Sequence, residues 1–177
     1  MRRIAIIVLL GMGLFSLMTS CSQKQESAPP TSKFVELSES DAARLNKQRA
    51  VVSEEAKRRY ETPSLTKTKA DLAVLQRLLD DHAFTKAQTY ELQCLGVVFG
   101  DALASELPLR WVMVTDEWGT DPTLRFKDTT IQLNALTMIA KRVEDGVALD
   151  VSDLFAGSKK VVADMETDFE REKSLQK

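Results

Sequence analysis

The chain has 177 residues, 24 Lys and Arg against 26 Asp and Glu, and a net charge of −2. It is 44% hydrophobic and 28% charged, which is ordinary for a globular protein and leaves no basic excess of the kind nucleic-acid binding needs. The charge is uneven: residues 22–86 hold 12 basic and 10 acidic side chains, residues 87–156 hold 5 and 11, and residues 157–177 hold 5 and 5.

Arg2 and Arg3 precede an uncharged apolar run of 15 residues, Ile4 to Met18. A membrane-spanning helix needs about 20 residues, so the run suits a signal core better than a permanent span. Leu17-Met18-Thr19-Ser20-Cys21 resembles the bacterial lipobox, with Met18 where that signal usually has Leu. The resemblance implies cleavage after residue 20 and acylation of the Cys21 thiol. With two or three acyl chains the anchoring would be effectively permanent. Ser22, in place of Asp, implies sorting to the outer membrane, facing the periplasm. Residues 22–33, SQKQESAPPTSK, are polar with Pro29-Pro30 and are expected to form an extended tether. Its twelve residues would reach at most ~40 Å.

A helix is expected from Ser38 or Ser40 to about Tyr60. Its apolar stripe of Ala42, Leu45, Val52 and Ala56 is thin, which predicts loose docking. Its basic end, Lys57-Arg58-Arg59, suits a helix C-terminus. Thr68 to Asp81 reads as a second helix with Leu72, Leu75, Leu78 and Leu79 inward. His82, the single histidine, falls in the following turn and is expected at the surface. Thr85 and Gln88 have capping-box spacing and open a long helix to about Leu107. Its wide apolar face (Leu95, Val98, Phe99, Ala102, Leu103) makes it the central buried helix. Gly96, Gly100 and Ala104 form a smooth stripe for close packing. With Cys21 acylated, Cys94 has no partner and is expected as a buried small apolar residue.

Arg110 to Asp116 has strand composition. Glu117 to Pro122 reads as a turn, Leu124 and Phe126 alternate as a second strand, and Ile131 and Leu133 mark a third. Short turns between them predict an antiparallel meander. Asn134 is placed to cap a helix carrying Leu136, Ile139, Ala140 and Val143, closed by Gly146. Val151 to Phe155 reads as a short turn or helix, and Lys159 to about Lys173 as a final amphipathic helix. The expected class is α+β: N-terminal helices, a central buried helix, a three-stranded antiparallel meander, then C-terminal helices. The expected divisions are signal 1–20, lipidated tether 21–33, helical extension 34–64, α+β domain 65–156 and C-terminal helix 157–177.

Few residues suggest chemistry. One histidine and one spare cysteine cannot build a zinc site, and no nucleophile elbow or phosphate loop is present. No cofactor or metal is expected. Asp116, Glu117 and Asp121, around Trp118, are the best carboxylate group, and acids so grouped could attack a glycosidic bond or bind a ligand. Trp111 is expected in the core and Trp118 as a contact residue.

Three stretches carry a family resemblance. They are Leu95-Gly96-Val97-Val98-Phe99-Gly100-Asp101, then Trp111-Val112 with Asp116-Glu117-Trp118-Gly119-Thr120-Asp121-Pro122, then Met138 to Gly146 with Asp150-Val151 and Leu154-Phe155. Between Leu72 and Phe155 the chain resembles an uncharacterised bacterial family, domain of unknown function 3806. The resemblance implies one α+β domain and brings no activity. The sequence therefore points to a lipid-anchored envelope protein that binds another envelope protein. A specific form is an immunity or inhibitor protein against a toxin or hydrolase; the rival is an envelope hydrolase using the turn carboxylates.

Overall fold

A computed structural model describes residues 33–61, 64–117 and 119–175. Cys21, the signal and most of the tether lie outside the described residues, as does Trp118.

The class is α+β, with five helices and a four-stranded antiparallel sheet among the described residues. Strands β2 (Leu109–Asp116), β3 (Gly119–Phe126) and β4 (Gln132–Leu133) form the expected meander. The fourth strand was not anticipated. Strand β1 (Lys33–Glu36) lies along β2, pairing Lys33 with Thr115 and Glu36 with Val112. Lys33 is thus the start of the sheet, not the end of the tether. The turn after β2 is also shorter than expected: Asp121 and Pro122 already belong to β3, opposite Val114 and Met113. Proline is tolerated there because β4 pairs with β3 only at Leu124 and Arg125, leaving the strand edge beside Pro122 open.

Helix α1 (Glu39–Tyr60) starts with a full capping box between Ser38 and Asp41. It buries Leu45, Gln48, Val52 and Ala56, so the expectation of loose docking does not hold. The thin apolar stripe is supplemented by an ion pair to the central helix, described below. Helix α2 (Leu72–Asp80) follows a single 3-10 turn and buries Leu72, Leu75 and Leu78. Helix α3 (Thr89–Glu106) is the central helix, with every residue from Cys94 to Leu103 buried. It starts one turn later than the capping spacing suggests. Gln88 Oε1 does accept from the Thr85 backbone N–H at 2.9 Å, but residues 85–88 form a separate turn. Helix α4 (Ala135–Glu144) runs back along α3. Helix α5 (Val151–Leu175) joins the two expected C-terminal elements into one. Gly157 does not break it, because Ser158 bonds back to Leu154 O and both flanking turns are anchored by Leu154, Phe155 and Val162.

The small-residue stripe on α3 has two occupants. A Cβ at Gly96 would lie 2.6 Å from Ala135 O and 2.8 Å from Leu136 C, against the first turn of α4. One at Gly100 would enter the indole of Trp111. The helices therefore pack on the sheet face of Leu109, Trp111, Leu124 and Phe126. On the opposite face, the register sets Phe34 and Arg125 diagonally on either side of Val112. The Arg125 guanidinium carbon lies 4.5 Å from the Phe34 ring centroid, so the pair bridges β2 over Val112, which is fully buried.

Candidate functional site

A groove of about 1430 Å³ is walled by α2, α4 and α5. Two helix ends shape it. At the end of α2, Ala83 N–H donates to Leu78 O at 2.8 Å and His82 N–H to Leu79 O at 3.0 Å. His82 takes the left-handed conformation, φ +47°. At the end of α4, Val147 N–H donates to Arg142 O and Gly146 N–H to Val143 O, with Gly146 at φ +69°. Both are Schellman closures. His82 thus does backbone work that glycine does elsewhere, and it is exposed at the groove wall, as expected of a surface residue.

The loop Gly146–Asp150 forms one lip. Gln76, on α2, holds its C-terminal end with both amide atoms: Gln76 Nε2 donates to Leu149 O at 3.2 Å, and Val151 N–H donates to Gln76 Oε1 at 2.8 Å. The same Nε2 donates to Asp80 Oδ1. Asp150 then caps α5, accepting from Ser152 and Asp153 N–H. The floor is apolar, with Leu79, Met138, Val143, Leu149 and Leu154. Val147 and Val161 stand exposed on the walls, at 55% and 48%. The sequence offered signals for these parts, the single His after α2 and Gly146 after α4. Their convergence depends on α5 returning past both ends, which no local pattern encodes.

The turn carboxylates form a separate group. Asp116 is the last residue of β2, opposite Gly119, and Asp121 is opposite Val114, so the two acids are diagonal neighbours on one sheet face. Glu117 follows in the turn, and all three are exposed. They flank Trp118 in sequence but share nothing with the groove lining. No cluster of three or more His, Cys, Asp or Glu suited to a metal ion occurs among the described residues. No helix among them is long and apolar enough to cross a membrane.

A second charged centre lies inside the fold. Asp101, 7% exposed, accepts from Arg49 Nε at 2.5 Å, from Arg49 Nη2 at 2.7 Å and from Trp111 Nε1 at 2.9 Å. One carboxylate thus ties α1, α3 and β2, and the forked geometry is the strongest an Arg and a carboxylate form. A cavity of about 220 Å³ adjoins it, between α1 and the Ser64–Lys67 loop. There Asp71 accepts from the N–H groups of Thr66 and Lys67 and from the Thr66 hydroxyl. Every polar group named in this cluster is satisfied internally, which is what a structural junction requires. Cys94 is buried and unpaired, as expected, and burial pushes its thiol up to about 11.

No curated protein matches the chain. A crystal structure of a protein from Bacteroides thetaiotaomicron VPI-5482 shares the fold, with a TM-score of 0.65 at 14% identity. The likeness covers 76% of this chain and 50% of that one, so this chain spans about half of that protein. Residues 71–155, from the turn before α2 to the first turns of α5, match the model of the family described as Domain of unknown function (DUF3806).

Proposed function

We propose that this protein is a lipid-anchored binding module of the bacterial cell envelope, held at the outer membrane through Cys21 and receiving another envelope protein in the α2–α4–α5 groove. The groove carries the reading. Small-molecule pockets run to about 300–1,000 Å³ and enclose most of their ligand. This one, at about 1430 Å³, is larger and has exposed valines on its walls, which suits a segment of a polypeptide. The lipobox-like sequence at Cys21 supports the anchor, and the acidic stretch of residues 87–156 supports a basic partner, an envelope toxin or hydrolase being one such case.

The test has two arms. Cys21→Ala should move the protein from the membrane fraction to the soluble periplasm; continued attachment would overturn the anchor. A photo-crosslinking residue at Val147 should trap one reproducible envelope protein in living cells, and the same residue at Ala50 on α1 should not. Equal or absent adducts would remove the groove as the binding surface.

A further inference from the structure

We infer that the groove takes a cationic amphipathic segment: a short helix or strand presenting aliphatic side chains to the floor and Lys or Arg to the rim. This rests on the binding role proposed above and names the chemistry of its partner. The floor sets the apolar half. Leu79, Met138, Val143 and Leu154 line it. Its upper walls carry Val147 and Val161, about half exposed. Aliphatic anchors entering a preformed apolar groove are the usual basis of helix-in-groove recognition.

The rim sets the charge. Two helix C-termini, those of α2 and α4, converge here, and each carries the negative end of a helix dipole. Asp80 lies at one end and Asp150 and Asp153 at the start of α5, all three on the lining. Of the acids next in sequence, Asp81 accepts from the Tyr60 hydroxyl on α1 and Glu144 from Thr89 on α3, while Asp145 is exposed. The opposing cations are fewer. Lys86 and Arg142 line the groove and Lys141 is exposed beside it. Arg142 is turned back onto its own helix, donating to Met138 O at 2.7 Å. Three lining carboxylates and two helix C-termini outweigh two lining cations and the N-terminus of α5, which Asp150 already caps, so the balance favours a positive occupant, and an acidic segment would meet repulsion at the α2 and α4 ends.

The experiment uses the mature chain carrying Cys21→Ala and two synthetic peptides with the same aliphatic stripe, one with Lys and one with Glu on the polar face. In fluorescence anisotropy the Lys peptide should bind at least about tenfold more tightly at low salt, with the gap closing as the Debye length falls from about 10 Å at 0.1 M toward 3 Å at 1 M. Val161→Arg and Val147→Arg, both at exposed positions, should abolish binding while leaving the thermal midpoint unchanged. Equal affinity for the two peptides, or binding that survives both arginines, overturns the inference. So does self-association of the protein in sedimentation that either arginine abolishes, since a second copy is then the occupant. If neither peptide binds but the Val147 crosslink to an envelope protein persists in cells, the binding role stands and the cationic segment does not.

Discussion

Gly100 lies directly under the indole of Trp111. A Cβ at position 100 would approach Trp111 Cζ2 closely and sit 2.9 Å from Cη2. This contact, with the Trp111–Asp101 hydrogen bond beside it, registers the sheet on the central helix. Gly96, a turn earlier on α3, does the same for α4, but there the neighbour is backbone, with Ala135 O at 2.6 Å. A ring can tilt, whereas a helix backbone must translate.

Gly100→Ala should therefore cost about 1–3 kcal/mol, the usual range for overpacking, and Gly96→Ala should cost at least as much. Gly157→Ala on α5 meets nothing within 4 Å and should gain about 0.5–1 kcal/mol from reduced chain entropy. Urea titrations of the three variants check the order; a neutral Gly96→Ala would contradict the close approach.

The Arg49–Asp101 pair predicts a strong asymmetry. Removing either partner leaves a buried charge, so Arg49→Met or Asp101→Leu alone should cost about 3–5 kcal/mol. The double variant should recover part of that loss, short of full recovery by about 1–3 kcal/mol, which Trp111 Nε1 forfeits without its acceptor. A double-mutant cycle by chemical denaturation measures the coupling, and additive losses would mean that the pair contributes nothing specific.

His82 sits where a left-handed cap favours glycine. His82→Gly should leave the thermal midpoint unchanged or raise stability by up to about 1 kcal/mol. A second readout bears on the groove: if the proposed Val147 crosslink is lost while the fold is intact, the imidazole acts there.

Cys94 gives the protein an alkaline limit. Its thiol ionises near 9.0 in the unfolded chain and at about 11 in the folded one. Between these values the unfolded state has lost a proton that the folded state keeps. Stability from this source is thus complete below pH 9 and falls as pH rises toward 11, by up to about 1.4 kcal/mol per pH unit. Burial and the Asp81 carboxylate raise the Tyr60 hydroxyl as well, adding to the loss above pH 10. Cys94→Ala should flatten the pH dependence between 9 and 11, and a thiol reagent at pH 8 should modify Cys94 only in denaturant.

Much of this architecture is written in local pattern. Leu72, Leu75 and Leu78, or Leu136, Ile139 and Ala140, repeat at helical spacing and lie buried. Cys94 fell where a buried residue was expected. What escaped was set by partners far along the chain. Strand β1 has four residues, too few for alternation to show, and its pairing residues are about eighty positions away. The docking of α1 rests partly on Arg49, which in sequence reads as one more exposed charge; only α3 reveals that Asp101 awaits it. The groove escaped for the same reason, being a space between three helices with no residue of its own.

The register of β1 also has a mechanical consequence. Lys33 pairs with Thr115, next to the β2–β3 turn, so the chain enters the sheet at the turn end. A pull on the chain ahead of Lys33 would enter the sheet at that end, where Asp116, Glu117 and Asp121 stand. The load would pass first through the four-residue β1 ladder and the ion pair of Glu36 with Arg110.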